Sequence, residues 1–188
     1  MILTKQKEEK IQSLVLGIFE KLNKDPERID TTERTGVYIV IRDLSIYDTE
    51  EYYIQVKFPS LKDIYNAIRN TVLMEEFGTP TSADLAHKEK YVVLREMTEY
   101  ETLRLQGAIT YINEENEEKD THLHVSVCGM KKPSENVAIA VIVMAEVLEL
   151  PITDVLEFIM YTDLKDPDEG NLPSDEVFYH LIQEYEEK

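Results

Sequence analysis

The chain has 188 residues, 43% of them apolar, and a single cysteine, so it can build one globular core but no internal disulfide. Its net charge of −18 excludes direct binding to nucleic acid or anionic membrane, because both demand cationic neutralisation. The start, MILTKQKEEK, lacks a secretory apolar core, and the longest uncharged run, Asn136 to Ala145, is too short to span a bilayer. A cytoplasmic protein without membrane contact is the expectation.

The elements follow in chain order. Ile11, Leu14, Val15, Ile18 and Leu22 share one helical stripe, so a helix is predicted over 4–24, capped by Thr4. The run VYIVI (37–41) is β-branched on both faces and reads as an inner strand. EYYIQVKF (51–58) alternates, with Tyr52, Ile54, Val56 and Phe58 on one side. The two strands suit a hairpin. Ser60 then caps a helix whose inner side is expected to carry Leu61, Ile64, Ile68, Val72 and Phe77.

Three strands are predicted next: YVVLREM (91–97), TLRLQGAITYI (102–112) and HLHVSVC (122–128). Ser134 is expected to cap a wholly apolar, buried helix around VAIAVIVMA. A short helix through Ile152, Val155, Leu156 and Ile159 follows. A last one turns Val177, Phe178, Leu181, Ile182 and Tyr185 inward. The expected order is α-β-β-α-β-β-β-α, then two helices. This is a single α+β domain over 1–188, with a mostly antiparallel sheet of about five strands and helices packed on it. Residues 133–188 form an acidic, all-helical C-terminal portion. In element order alone it resembles roadblock/profilin-like domains and, more loosely, small acidic secretion chaperones. No residue motif of either is present, and element order implies no function.

THLHVSVCGM (121–130) holds most of the candidate chemistry. Alternate strand residues share a face, so His122, His124, Ser126 and Cys128 point one way. Paired imidazoles on a strand suit zinc or another transition metal. Strand rise puts Cys128 about 13 Å from His124, so a third ligand must come from elsewhere, such as His87 or a carboxylate. The competing reading is a polar sheet face covered by a helix. HVSV resembles half of the two-histidine phosphoesterase motif, but the second copy is missing. DPDEGN fails as a calcium loop, because Lys165 and Pro167 fall where carboxylates are needed. The helix pair around LELP carries no cation that would let it read DNA. No phosphate-binding glycine loop occurs.

Acidity is concentrated late. Residues 133–188 hold 14 acidic and 2 basic residues, net −12, against 24 and 18 in the first 132. Asp154, Glu157, Asp163, Asp166, Asp168 and Glu169 therefore form a candidate face for a basic protein partner, by imitation of nucleic-acid phosphates or by plain charge attraction. The leading expectation is a non-enzymatic acidic protein-binding module (an adaptor, assembly chaperone or inhibitor) needing no cofactor and able to form a homodimer. The alternative is a metal-dependent enzyme or metal-binding protein built on His122 and His124.

Overall fold

The computed structural model describes residues 3–24, 34–44, 49–77, 107–113, 121–161 and 176–187. In chain order these form α1 (Lys5–Asn23), β1 (Gly36–Asp43), β2 (Glu50–Lys57), α2 (Leu61–Phe77), β3 (Ala108–Asn113) and β4 (Thr121–Cys128), then α3 (Pro133–Leu148), α4 (Ile152–Tyr161) and α5 (Glu176–Glu186). The fold is α+β. The strands make one antiparallel sheet in the order β2-β1-β4-β3.

The described sheet has four strands rather than about five. The predicted strand 91–97 lies outside the described residues, and the predicted strand 102–112 is described only from Ala108. Gly107 marks that start. Its φ of +136 suits only glycine, and its carbonyl accepts from the Val127 N–H at 2.7 Å.

The two sheet faces differ in chemistry. Val37, Ile39, Ile41, Ile54, Val56, Ile109, Leu123, Val125 and Val127 point to one side and are buried there with Ile11, Val15 and Phe19 of α1. The buried helix α3 completes this core, against β4, β3 and α5. Phe178, Leu181 and Ile182 of α5 close it. Complete burial of so many branched side chains is the dominant favourable term of the fold.

Helix starts follow local chemistry. Thr4 Oγ1 accepts from the Lys7 N–H at 3.3 Å, as expected of a cap. Ser60 Oγ accepts from the Asp63 N–H at 3.2 Å and donates to the Asp63 carboxylate at 2.5 Å. Helix α3 begins one residue before the expected Ser134 cap. Pro133 takes the first helical position, where a missing N–H costs nothing, and the Glu135 carboxylate turns back to the Lys132 N–H at 3.2 Å. Between α3 and α4, Glu149 takes the left-handed conformation usually left to glycine, with φ 56 and ψ 36. Lys7 holds that turn, reaching the Val147 carbonyl at 3.0 Å and the Glu149 carboxylate at 2.8 Å.

Helix α2 overturns the inward placing of Leu61, Ile68 and Val72, whereas Ile64 is half-buried and the side chain of Phe77 lies outside the described residues. Among the described elements α2 is the helix that covers the other sheet face, over β1, β4 and β3, and it turns its small and polar side inward. Ala67, Asn70 and Thr71 are buried, while Leu61 (85%), Tyr65 (65%), Val72 (45%) and Ile68 (38%) are exposed. The reason is the surface beneath. The even-numbered residues of β3 and β4 include Thr110, His124, Ser126 and Cys128, and a polar floor suits a small polar helix face. Phe58 also leaves its predicted alternation and is 80% exposed. Lys57, at φ 57, ends the strand pattern, and its ammonium lies 5.6 Å from the Phe19 ring centre.

Candidate functional site

The sheet face under α2 gathers the chemistry-bearing residues of β4. His124 pairs across the strands with Arg42 of β1 and Thr110 of β3, Ser126 with Val40 and Ala108, and Cys128 with Tyr38. The alternation of THLHVSVC therefore puts His122, His124, Ser126 and Cys128 on the face that α2 covers. Val40, Cys128 and Ala67 form a small apolar cluster there, with Tyr38 at its margin.

His124 is buried, with its Nδ1 2.6 Å from the Thr110 hydroxyl. The His122 ring lies beside it, centroid to centroid 4.9 Å. Burial pushes the His124 imidazole down to about 3, helped by His122 and Arg42. It is a neutral ring at physiological pH. Arg42 turns aside to Glu51, 3.0 Å away. Burial likewise pushes the Cys128 thiol up to about 12, with Asp63 adding to the effect. The Asn70 amide nitrogen lies 4.0 Å from its Sγ. A protonated, covered sulfur is a poor nucleophile.

Among the described residues, His124 Nε2 and Ser126 Oγ meet no hydrogen-bond partner. No group of three or more His, Cys, Asp and Glu side chains comes together for a metal among those residues. The expected pair His122 and His124 is adjacent in space. His87 lies outside the described residues.

The acidic face divides. Asp154 and Glu157 are exposed on α4, whereas Asp163, Asp166, Asp168 and Glu169 lie outside the described residues. Two further carboxylates of this portion pair with lysines of α1. Glu146 meets Lys10 at 2.6 Å and accepts from the Tyr185 hydroxyl at 2.9 Å, while Glu149 meets Lys7. Lys10, Glu146 and Tyr185 line a cleft of about 820 Å³ between α1, the α3–α4 turn and α5. Burial and the Glu146 carboxylate raise the Tyr185 pKa, so its phenol stays protonated. Glu146 is thus covered and engaged by Lys10, whereas Glu149 pairs with Lys7 at the surface.

Sequence reasoning missed the outward stripe of α2. Leu61, Tyr65, Ile68 and Val72 follow 4-3-4 spacing, which keeps them on one narrow helix face. The signal was present in the polar alternation of β4, since a helix covering that face must present small or polar residues to it. Tyr38 and Tyr53 continue the apolar surface onto the sheet, with ring centres 6.3 Å apart, and Tyr53 is 47% exposed.

No family model, curated protein or solved structure matches this chain. Among the described residues, no helix is long and apolar enough to cross a membrane.

Proposed function

We propose that this chain is a non-enzymatic protein-binding module that works as an adaptor, assembly chaperone or inhibitor. One observation carries the reading: α2 turns Leu61, Tyr65, Ile68 and Val72 to solvent. A contiguous apolar helix face of this kind marks a protein-interaction surface, because exposing it to water without a partner is unfavourable. The covered, protonated Cys128 and the neutral His124 add no activated nucleophile or acid.

The acidic portion favours a basic partner through the exposed Asp154 and Glu157 of α4 and the carboxylates Asp163, Asp166, Asp168 and Glu169 beyond it. Nucleic-acid mimicry is the special case in which those charges line up at phosphate density. The test compares the wild type with a Leu61→Glu/Ile68→Glu variant of native circular dichroism, using chemical cross-linking in solution and in lysate. Capture by the wild type that the variant loses is the expected result. Identical capture by both, or turnover of a defined substrate by the wild type, defeats the reading.

A second reading has one observation behind it: the buried Nε2 of His124, which meets no hydrogen-bond partner among the described residues, beside the His122 ring. It makes the chain a metal-dependent enzyme or metal-binding protein, with further ligands from outside the described residues. Metal analysis of protein purified without chelator, beside a His122→Ala/His124→Ala variant, separates the two readings. Stoichiometric zinc lost with the histidines favours this one.

A further inference from the structure

We infer that the occupant of the α2 face is a second copy of this chain, bound through an antiparallel α2–α2 pair. This inference rests on the protein-binding reading and names its partner.

The first support is area. Residues of these types offer roughly 200 Å² each when fully exposed, so the exposed fractions of Tyr53, Leu61, Tyr65, Ile68 and Val72 amount to about 560 Å² before any polar rim is counted. A standard interface buries about 800 Å² per partner. A two-fold axis through this patch thus supplies most of the area a stable dimer needs.

The second support is self-complementarity. A two-fold axis between Tyr65 and Ile68 sets Tyr65 against the partner's Ile68 and Leu61 against the partner's Val72. Each larger side chain then meets a smaller one, at the 4-3-4 spacing of paired helices. An isologous contact needs only this one patch.

The third support is charge. Helix α2 carries Lys62 beside Asp63 in its first turn. The antiparallel register sets Lys62 toward the negative end of the partner helix. A parallel pair would stack like charges and set Tyr65 on the partner's Tyr65. Helices α3, α4 and α5, with the exposed Asp154 and Glu157 of α4, pack on the opposite sheet face. Two chains of −18 that meet through α2 therefore keep those carboxylates apart.

The test is sedimentation equilibrium of the full chain, with cysteine cross-linking. The expected particle at high protein concentration is twice 21.9 kDa. A Leu61→Glu/Ile68→Glu variant with native circular dichroism should dimerise at least about 100-fold more weakly, as loss of central anchors does. A mixture of Leu61→Cys and Val72→Cys chains should form a disulfide-linked pair on mild oxidation, while Leu61→Cys alone should not. Efficient self-linking of Leu61→Cys overturns the antiparallel register. A particle of 21.9 kDa at every concentration overturns the second copy. In that event, maleimide labelling of Leu61→Cys decides the rest. Rapid labelling leaves the face open to a different protein, so the protein-binding reading survives. Blocked labelling means the chain covers its own stripe, and both readings fall.

Discussion

The Thr110 hydroxyl and Nδ1 of His124 lie 2.6 Å apart on neighbouring strands, both buried beneath α2. That contact engages one ring nitrogen while burial suppresses the charged form of the ring. His124 is therefore held far below its ordinary value of 6.5, at about 3. Between these values the unfolded chain binds the proton and the native chain does not, so stability falls as pH drops through that window. From pH 6.5 to pH 5 this group alone removes roughly 2 kcal/mol, at about 1.4 kcal/mol per unit. Urea unfolding at pH 7 and pH 5 checks it against His124→Gln. The variant should be less stable at pH 7 but lose about 2 kcal/mol less on acidification. Equal losses would place His124 in water.

Cys128 supplies a probe of the same layer. Its thiol is covered by α2 and pushed up to about 12 by burial, so reagents should reach it only through opening of the fold. At pH 8 in native buffer, labelling by a disulfide reagent should run far slower than in 6 M guanidinium. Complete labelling within the mixing time would mean α2 does not cover β4.

Much of the main core can be read from the residues. The stripe through Ile11 and Val15, the hairpin of β1 and β2, the alternation of β4 and the all-round apolar α3 each obey one local period, and each lands as expected. Helix α2 does not, because its direction is set by its neighbour. Taken alone, Leu61, Ile68 and Val72 look like an inward stripe. Only the polar even-numbered face of β3 and β4 makes the opposite side of the helix the buried one. The candidate site divides the same way. The shared face of His122, His124, Ser126 and Cys128 follows from strand period, while Thr110, Asn70 and Arg42 join it through register and packing that no local pattern encodes.

Gly129 tests how tightly β4 passes β1. Its φ is +122, and an added Cβ would overlap the Gly36 carbonyl oxygen and crowd the Val37 Cα. Both neighbours are backbone in a paired strand, so neither can yield cheaply. Gly129→Ala should cost on the order of 2–4 kcal/mol in denaturant unfolding. Gly17 is the control, because it sits inside α1 and an added Cβ there would meet nothing within 4 Å. Gly17→Ala should stabilise by roughly 0.5–1 kcal/mol. If both substitutions behave alike, the close pass between β1 and β4 is wrong.

The direction of α2 is open to a mutational test in which sequence pattern and structure disagree in sign. If Leu61 packed inward, Leu61→Ala would cost roughly 2–5 kcal/mol. With Leu61 85% exposed, the change should stay within about 0.5 kcal/mol. Ala67 behaves oppositely. It is fully buried in a cluster with Val40 and Cys128. Ala67→Leu should lift the helix from the sheet and cost about 1–3 kcal/mol, although leucine is nearly as good a helix former as alanine. Both variants are unfolded in urea at a protein concentration where light scattering finds single chains, so loss of self-association does not enter. A large loss for Leu61→Ala beside a neutral Ala67→Leu would reverse the helix, and would return the outward stripe to the core.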